Sequence, residues 1–428
     1  MPALFVLYVF VTLAQIALWL FVFGRLARIR PALAIASAGL PPVSVIICAR
    51  NEAHNLRKYL PAVLEQQYPH FEVLVVDDDS TDDTNAVLTA FQANYTHLRV
   101  LRLSPKTSPG KKYALAQGIE AARYEYLVFT DADCTPASVR WLEHLVGGFH
   151  GGATPPPSPP PKGRGASTQV YRNSTQDQAS LPFWGQVYLN STQDQAPLPF
   201  GGGDGGGVEP HSPIEIVLGY APYSPGPGLL NRWIRFETIF TAMQYFSFAL
   251  AGRPYMGVGR NLAWHKSLFQ RVGGFVAHAH VPSGDDDLLV NAAAHAGNTA
   301  LCLAPEAFVY SDAESTWADW FRQKRRHLGA GKFYRREHQI GLGLLTLTQV
   351  LHYFLLFVLL FSGFGTVSVI LFVVRLTVSA GFFKKILRQF RDEPLLVWFP
   401  LLDALLAIYF AVLVPLILIR SNHLISWK

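Results

Sequence analysis

The chain is apolar at both ends and carries its charge between them, which limits what it can fold into. Ala3–Phe23 is about as long as the ~20 residues a helix needs to cross a hydrocarbon core, and Arg25, Arg28 and Arg30 follow it. Toward the other end, Leu342–Phe361 and Thr366–Phe383 flank Ser362-Gly363-Phe364-Gly365, the pattern of a hairpin of two spans, with Lys384, Lys385, Arg388 and Arg391 after it. Leu395–Ile419 is long enough for a third span but contains Pro400, Asp403 and Pro415, so it either spans or re-enters. Asp403 is expected near the interface, because an acid is costly deep in lipid. A signal peptide is basic before its apolar core. Here the order is reversed, so residues 1–24 read as an uncleaved transmembrane anchor. The positive-inside rule then places the chain beyond this anchor in the cytoplasm, as part of a multi-pass inner (plasma) membrane protein, with a transmembrane region over 341–420. With 50% hydrophobic residues and a net charge of +6 gathered near the apolar segments, the composition points to a membrane and excludes nucleic acid as a partner.

Between the ends, apolar strand runs alternate with helical patterns. Val43–Cys48, Glu72–Val76, Leu98–Leu103 and Tyr126–Thr130 read as strands. Asn55–Gln66, Asp82 to about Asn94, and Lys111–Ala121 read as helices. Continuous apolar strands separated by helices predict an α/β fold with a mostly parallel sheet and helices on both faces. Residues 41–340 are the expected domain. Residues 147–213 interrupt it with a proline run, glycine runs and a duplicated segment (Val170–Ala179 and Val187–Ala196), the composition of a disordered insertion. Leu229–Leu250 is expected to be a buried or interfacial helix, and Trp317–His338 a basic, aromatic, amphipathic helix at the membrane surface. Cys48, Cys134 and Cys302 are odd in number and far apart, which suits reduced thiols in a cytoplasmic domain.

The charge in the middle is concentrated in acidic motifs. Ala49-Arg50-Asn51-Glu52 follows the first strand and Asp77-Asp78-Asp79 the second, where open α/β sheets bind ligands. Taken alone, such a turn serves as a helix cap as often as a site. Asp131 and Asp133 after the fourth strand run can offer oxygen ligands to Mn2+ or Mg2+, with a diphosphate filling other positions. Asp285, Asp286 and Asp287 repel one another, which should raise at least one pKa and suit proton abstraction; an acid-rich helix start is the plainer reading, compatible with this one, and the functional reading is favoured. Gln323 and Arg326 share a helix face, and Arg suits bidentate contacts to phosphate.

Together these motifs resemble the membrane-bound family 2 glycosyltransferases with a GT-A fold, from about Val43 to His327 apart from the insertion. The resemblance implies a nucleotide-diphospho-sugar donor, held by Ala49, Glu52, Asp77, Asp79, Lys111, Asp131, Gln323 and Arg326. It implies a metal, Mn2+ or Mg2+, on Asp131 and Asp133, and Asp286 as catalytic base. It places Gly259, Asn261, Asp285 and His327 on the side of a lipid-linked or saccharide acceptor. His327 departs from the tryptophan usual in the family, so the acceptor-stacking role does not carry over. The implied activity is inverting transfer to a membrane-proximal acceptor. The alternatives are a processive polysaccharide synthase and a non-enzymatic membrane scaffold with a degenerate transferase fold.

Overall fold

A computed structural model describes residues 1–29, 39–104, 110–151, 214–281 and 283–415. Most of the expected insertion (residues 152–213) and the end of the expected third C-terminal span (416–419) lie outside the described residues. The apolar start is helix α1 (Pro2–Leu26). Then come β1 (Val43–Ala49), α2 (Ala53–Leu64), β2 (Phe71–Asp77), α3 (Thr84–Asn94), β3 (Leu98–Arg102), α4 (Lys111–Ala121), β4 (Tyr126–Phe129), β5 (Cys134–Pro136) and α5 (Trp141–Gly151). The second part holds β6 (Ile216–Leu218), α6 (Gly228–Leu250), β7 (Leu262–His265), α7 (Lys266–Arg271), α8 (Asp287–Ala293), β8 (Thr299–Leu301), β9 (Val309–Ser311) and α9 (Trp317–Leu328). Three apolar helices complete it: α10 (Arg336–Leu360), α11 (Gly365–Gln389) and α12 (Glu393–Leu413).

The main sheet has seven strands in the order β3-β2-β1-β4-β7-β6-β8. Its first four run parallel, with Ala49 beside Asp77 and Ile46 beside Phe129. β7 runs antiparallel to both β4 and β6. Every residue of β1 is buried, as a strand covered on both faces must be. Alternate residues serve the two faces: Val43, Val45, Ile47 and Ala49 pack with α2 and α5, and Ile46 and Cys48 with α4 and α6. α2 buries Ala53, Leu56, Leu60, Val63 and Leu64, the three-four spacing of a helix with one apolar face. Since β1, β2 and β4 point the same way, Ala49, Asp77 and the turn after Phe129 all emerge at one edge.

Helix α6 joins this sheet to the apolar helices. The Tyr245 hydroxyl donates to the Gly219 carbonyl beside β6 at 2.9 Å. Phe240 packs against Phe23 of α1 and Phe236 against Phe383 of α11. Arg235 is ion-paired with Asp392, and Arg232 lies 4.4 Å over the Trp398 ring. Tyr409, near the other end of α12, meets Trp233 at 5.6 Å. Adjacent residues of α6 thus reach both ends of α12, so α12 lies across α6.

Two expectations need correction. The stretch Trp317–His338 is not one helix. It ends at Leu328, passes through a 3-10 turn at Ala330–Phe333 and restarts at Arg336. Gly329 and Gly331 weaken the helix there, and the Asn291 side chain accepts from the Arg335 N–H at 2.9 Å, holding the turn outside it. Asp403, expected near the interface, is shut inside the apolar helices and not left open to solvent. It is 1% exposed and ion-paired with Arg375, with Gln349 donating at 3.1 Å and Tyr353 at 2.6 Å. Arg375 also donates to Gln15 and Gln349, so one polar cluster links all four apolar helices. A buried acid is tolerable once a cation and hydrogen bonds neutralise it. Cys48, Cys134 and Cys302 are all free and buried.

Candidate active site

The turns at the sheet edge are held by one another. Asn51 and Asp79 both take left-handed backbone conformations (φ 55° and 59°), uncommon for residues with side chains and typical of functional turns. They are cross-linked: the Asn51 N–H donates to Ser80 Oγ at 2.9 Å, and the Thr81 N–H to Asn51 Oδ1 at 2.8 Å. Asp77, nearly buried at the end of β2, accepts from the Ser80 N–H at 3.2 Å. Glu52 precedes α2, and its N–H donates to Thr84 Oγ1 at 3.0 Å. Ala49, Glu52, Asp77 and Asp79 therefore form one ledge over β1 and β2.

Beside the ledge is a cleft of about 290 Å³, lined among others by Cys48, Lys111, Asp131, Gly259, Asp285 and Asp286. Lys111 begins α4 directly after Gly110, whose φ of 93° suits glycine. Its ammonium meets Asp131 at 2.6 Å and Asp285 at 3.4 Å. Burial opposes both charges, but each favours the other: Lys111 is held well above the ordinary lysine range and the Asp131 carboxyl below the ordinary aspartate range.

Asp286 sits opposite. Its Oδ2 accepts from the Gly259 N–H at 2.6 Å, and a Cβ on Gly259 would come within 3.1 Å of that oxygen, so glycine is what permits the approach. Burial, then the neighbouring Asp285, pushes the Asp286 carboxyl up to about 6. The order matters: the sequence pointed to repulsion alone, and desolvation is the larger cause. Asp287 rises to about 7, from burial and then Asp286, while accepting a 2.6 Å hydrogen bond from the Tyr334 hydroxyl.

Asp131, Asp133 and Cys134 offer ligand atoms within 4.8 Å of one another. The two carboxylates fit a hard divalent cation such as Mn2+ or Mg2+. Cys134 fits such a cation less well, because hard divalent cations take oxygen ligands in preference to sulfur. α9 brings cationic side chains within electrostatic reach of the cleft. Arg326 is close enough to Asp131 to help lower its carboxyl, and Gln323 donates to Glu314 at 3.3 Å. His327 is exposed on α9, where the surrounding protein and then the cations Lys324 and Arg326 hold its ring below the usual histidine range.

One residue expected on the acceptor side is elsewhere. Asn261 is fully buried: its amide donates to the carbonyls of Tyr220 (2.8 Å) and Ala307 (2.7 Å) and accepts from Trp141 (3.0 Å). It ties β7 to its neighbours. Asp285 lines the cleft with Asp286 and meets Lys111 at 3.4 Å. Arg260 lies between Gly259 and Asn261 but is not itself among the expected site residues. Its guanidinium lies 4.4 Å over the Tyr223 ring, donates to the Ala221 carbonyl at 2.9 Å and to Ser311, and acts electrostatically on Asp131 and His327. A lone cation in a glycine-lined loop is the signal that could have found it.

Comparison with known proteins agrees with this architecture. Residues 44–155 match a model described as glycosyl transferase family 2, and residues 218–414 one described as glycosyl transferase family group 2. The glycosyltransferase AglE of Haloferax volcanii is 41% identical over 114 residues, 26% of this chain and 36% of that protein. A beta-monoglucosyldiacylglycerol synthase of a Nostoc species is 36% identical over 109 residues, 25% of this chain and 23% of that protein. The chain thus matches about a third or less of the length of these relatives. A mannosyltransferase from Pyrobaculum calidifontis, solved with GDP-Man and Mn2+, superimposes with a TM-score of 0.55 at 14% identity, covering 98% of this chain and 99% of that one, a likeness of fold.

Proposed function

This chain belongs to family 2 of the glycosyltransferases, and from that premise we propose that it transfers a sugar from a nucleotide-diphospho-sugar to a lipid-linked or saccharide acceptor at a membrane, by inverting displacement. The observation that carries this reading is the meeting of Asp131, Lys111 and Asp286 in one cleft next to the Asp77 ledge. An Asp286 oxygen takes the proton of the acceptor hydroxyl as that oxygen attacks the anomeric carbon. The new C–O bond forms as the bond from that carbon to the diphosphate oxygen breaks, and its electron pair leaves with the nucleoside diphosphate. A carboxyl poised near 6 is ionised at neutral pH yet basic enough to accept a proton.

Asp131 and Asp133 would hold Mn2+ or Mg2+, which when bound neutralises charge on the leaving diphosphate. Lys111 and Arg326 add positive charge on the same side. Ala49, Glu52, Asp77 and Asp79 form the surface for the nucleoside. The four apolar helices set the domain on a membrane, with the catalytic part in the cytoplasm at the inner membrane. A relative named for glucosylating a diacylglycerol supports a lipid acceptor.

The test is a thermal-shift and hydrolysis screen of the detergent-solubilised full chain with UDP- and GDP-sugars, with and without Mn2+ or Mg2+. One nucleotide sugar should stabilise the protein and be slowly hydrolysed only when metal is present. Absence of stabilisation by every sugar nucleotide overturns the reading.

A further inference from the structure

We infer that Glu237, far from the acidic motifs in sequence and on a different helix from Gln323 and Arg326, is a positioning residue for transfer, acting through Lys324; the inference rests on the function proposed above. α9 is amphipathic, and Trp320 is its one buried residue. Trp320 meets Trp233 of α6 edge-on at 6.2 Å and Tyr409 of α12 at 6.0 Å. One turn on, the Lys324 ammonium is ion-paired with Glu237 of α6, and both side chains are about nine-tenths buried (11% and 10% exposed).

Residues four apart share a helix face, so Trp320 and Lys324 anchor the same side of α9. At 3.6 residues per turn, Gln323 projects roughly 80° and Arg326 roughly 140° around the axis from the middle of that side. Two anchors one turn apart fix both the place of the helix and its rotation about its own axis. Rotation decides whether Arg326 faces Asp131. Trp320 is apolar where it packs, so it can slide at modest cost. The ion pair cannot, because turning Lys324 away would strand the Glu237 carboxylate in a buried position. Since α6 is itself pinned to the apolar helices through Arg235–Asp392, Glu237 links the membrane side of the molecule to the orientation of Arg326.

The experiment measures binding of UDP or GDP with Mn2+, whichever the wild-type full chain binds more tightly. Glu237→Gln should weaken it by roughly tenfold, the coupling expected of interacting neighbours, with the melting temperature in detergent recorded alongside. The charge swap Glu237→Lys with Lys324→Glu should restore most of the loss. In an Arg326→Ala background, Glu237→Gln should cost less than about twofold more, because the residue it positions is gone. A merely structural role would instead multiply the two losses, and that result overturns the inference. So does wild-type affinity in Glu237→Gln. Should the charge variants fail to fold, Glu237→Leu with Lys324→Met keeps the packing without the charges; tight binding by that pair also counts against the inference. If the wild type binds neither nucleotide with Mn2+, the transferase reading itself has failed and takes this inference with it.

Discussion

The two halves of the catalytic domain position their residues by different means. In the first half, β1, β2 and β4 run parallel and each ends in the residue that matters: Ala49, Asp77, and the turn to Asp131. Strand direction alone puts them at one edge. In the second half, β7 runs antiparallel to its neighbours, and Asp286, Arg260 and Arg326 reach the cleft through contacts remote in sequence. Gly259 receives Asp286, Ser311 receives Arg260, and Glu237 holds the helix of Arg326 through Lys324. The ledge over β1 and β2 is thus built from local sequence, while the face of Asp286, Arg260 and Arg326 is assembled by contacts remote in the chain. Damage to packing should spare the first half more than the second.

The largest effect should come from the chemistry itself. Asp286→Asn keeps the shape of the side chain but removes the base, and transfer should fall by roughly 10²–10⁴-fold, with UDP or GDP affinity within about twofold of wild type. Transfer at the wild-type rate in that variant, measured with radiolabelled sugar, would remove Asp286 from the mechanism.

Next is the apolar bundle. Arg375→Leu alone leaves Asp403 buried without its cation and should cost about 3–5 kcal/mol, seen as a lower melting temperature or loss of folded protein in detergent. Arg375→Leu with Asp403→Leu should cost much less, since neither charge is then stranded. Equal losses in the single and double variants would mean the cluster is not held by that pair. Asn261→Ala tests the second half directly. It strips partners from Trp141 and two carbonyls, and should lose about 2–3 kcal/mol of stability, while remaining nucleotide affinity shows the ledge intact.

The smallest effect is in pH. Burial raises the Asp286 carboxyl to about 6, so its base form is lost as pH falls through that value. Transfer should therefore drop about tenfold per unit below it and level off above it, although coupling to Asp287 makes the observed midpoint a property of the pair. A rate independent of pH between 5 and 8 would show that no carboxyl titrating near 6 acts as base.

How much of the molecule is legible in its sequence divides along the same line. Apolar runs and their spacing locate β1 to β4 and their parallel sheet, the four long apolar helices and the acidic strand ends, because each of these is set by neighbours along the chain; the short strands β5 to β9 carry no such run. Gly259, one of the residues expected at the site, does lie in the cleft, close beside Asp286. Its neighbour Asn261, expected beside the acceptor, is a buried tie, and Arg260 between them carries no sequence signal strong enough to mark it. Whether a polar side chain faces a cleft or the interior depends on what stands opposite, and here that is Trp141, Tyr220 and Ala307. The acid at Asp403 has the look of an interfacial residue as long as its partner Arg375 stays hidden in an apolar run.

By itself, the sequence determined the α/β alternation, the apolar ends and the chemistry at the strand ends, since helix and strand periods and the cost of burying charge act over a few residues. Only the tertiary structure decided which carboxylate is desolvated toward a pKa of 6, which cation meets Asp131, and which carboxylate pairs with Lys324 and so sets the rotation of α9. Those depend on the distance and burial of groups far apart in the chain, and electrostatic energy in a protein interior is set by those two quantities.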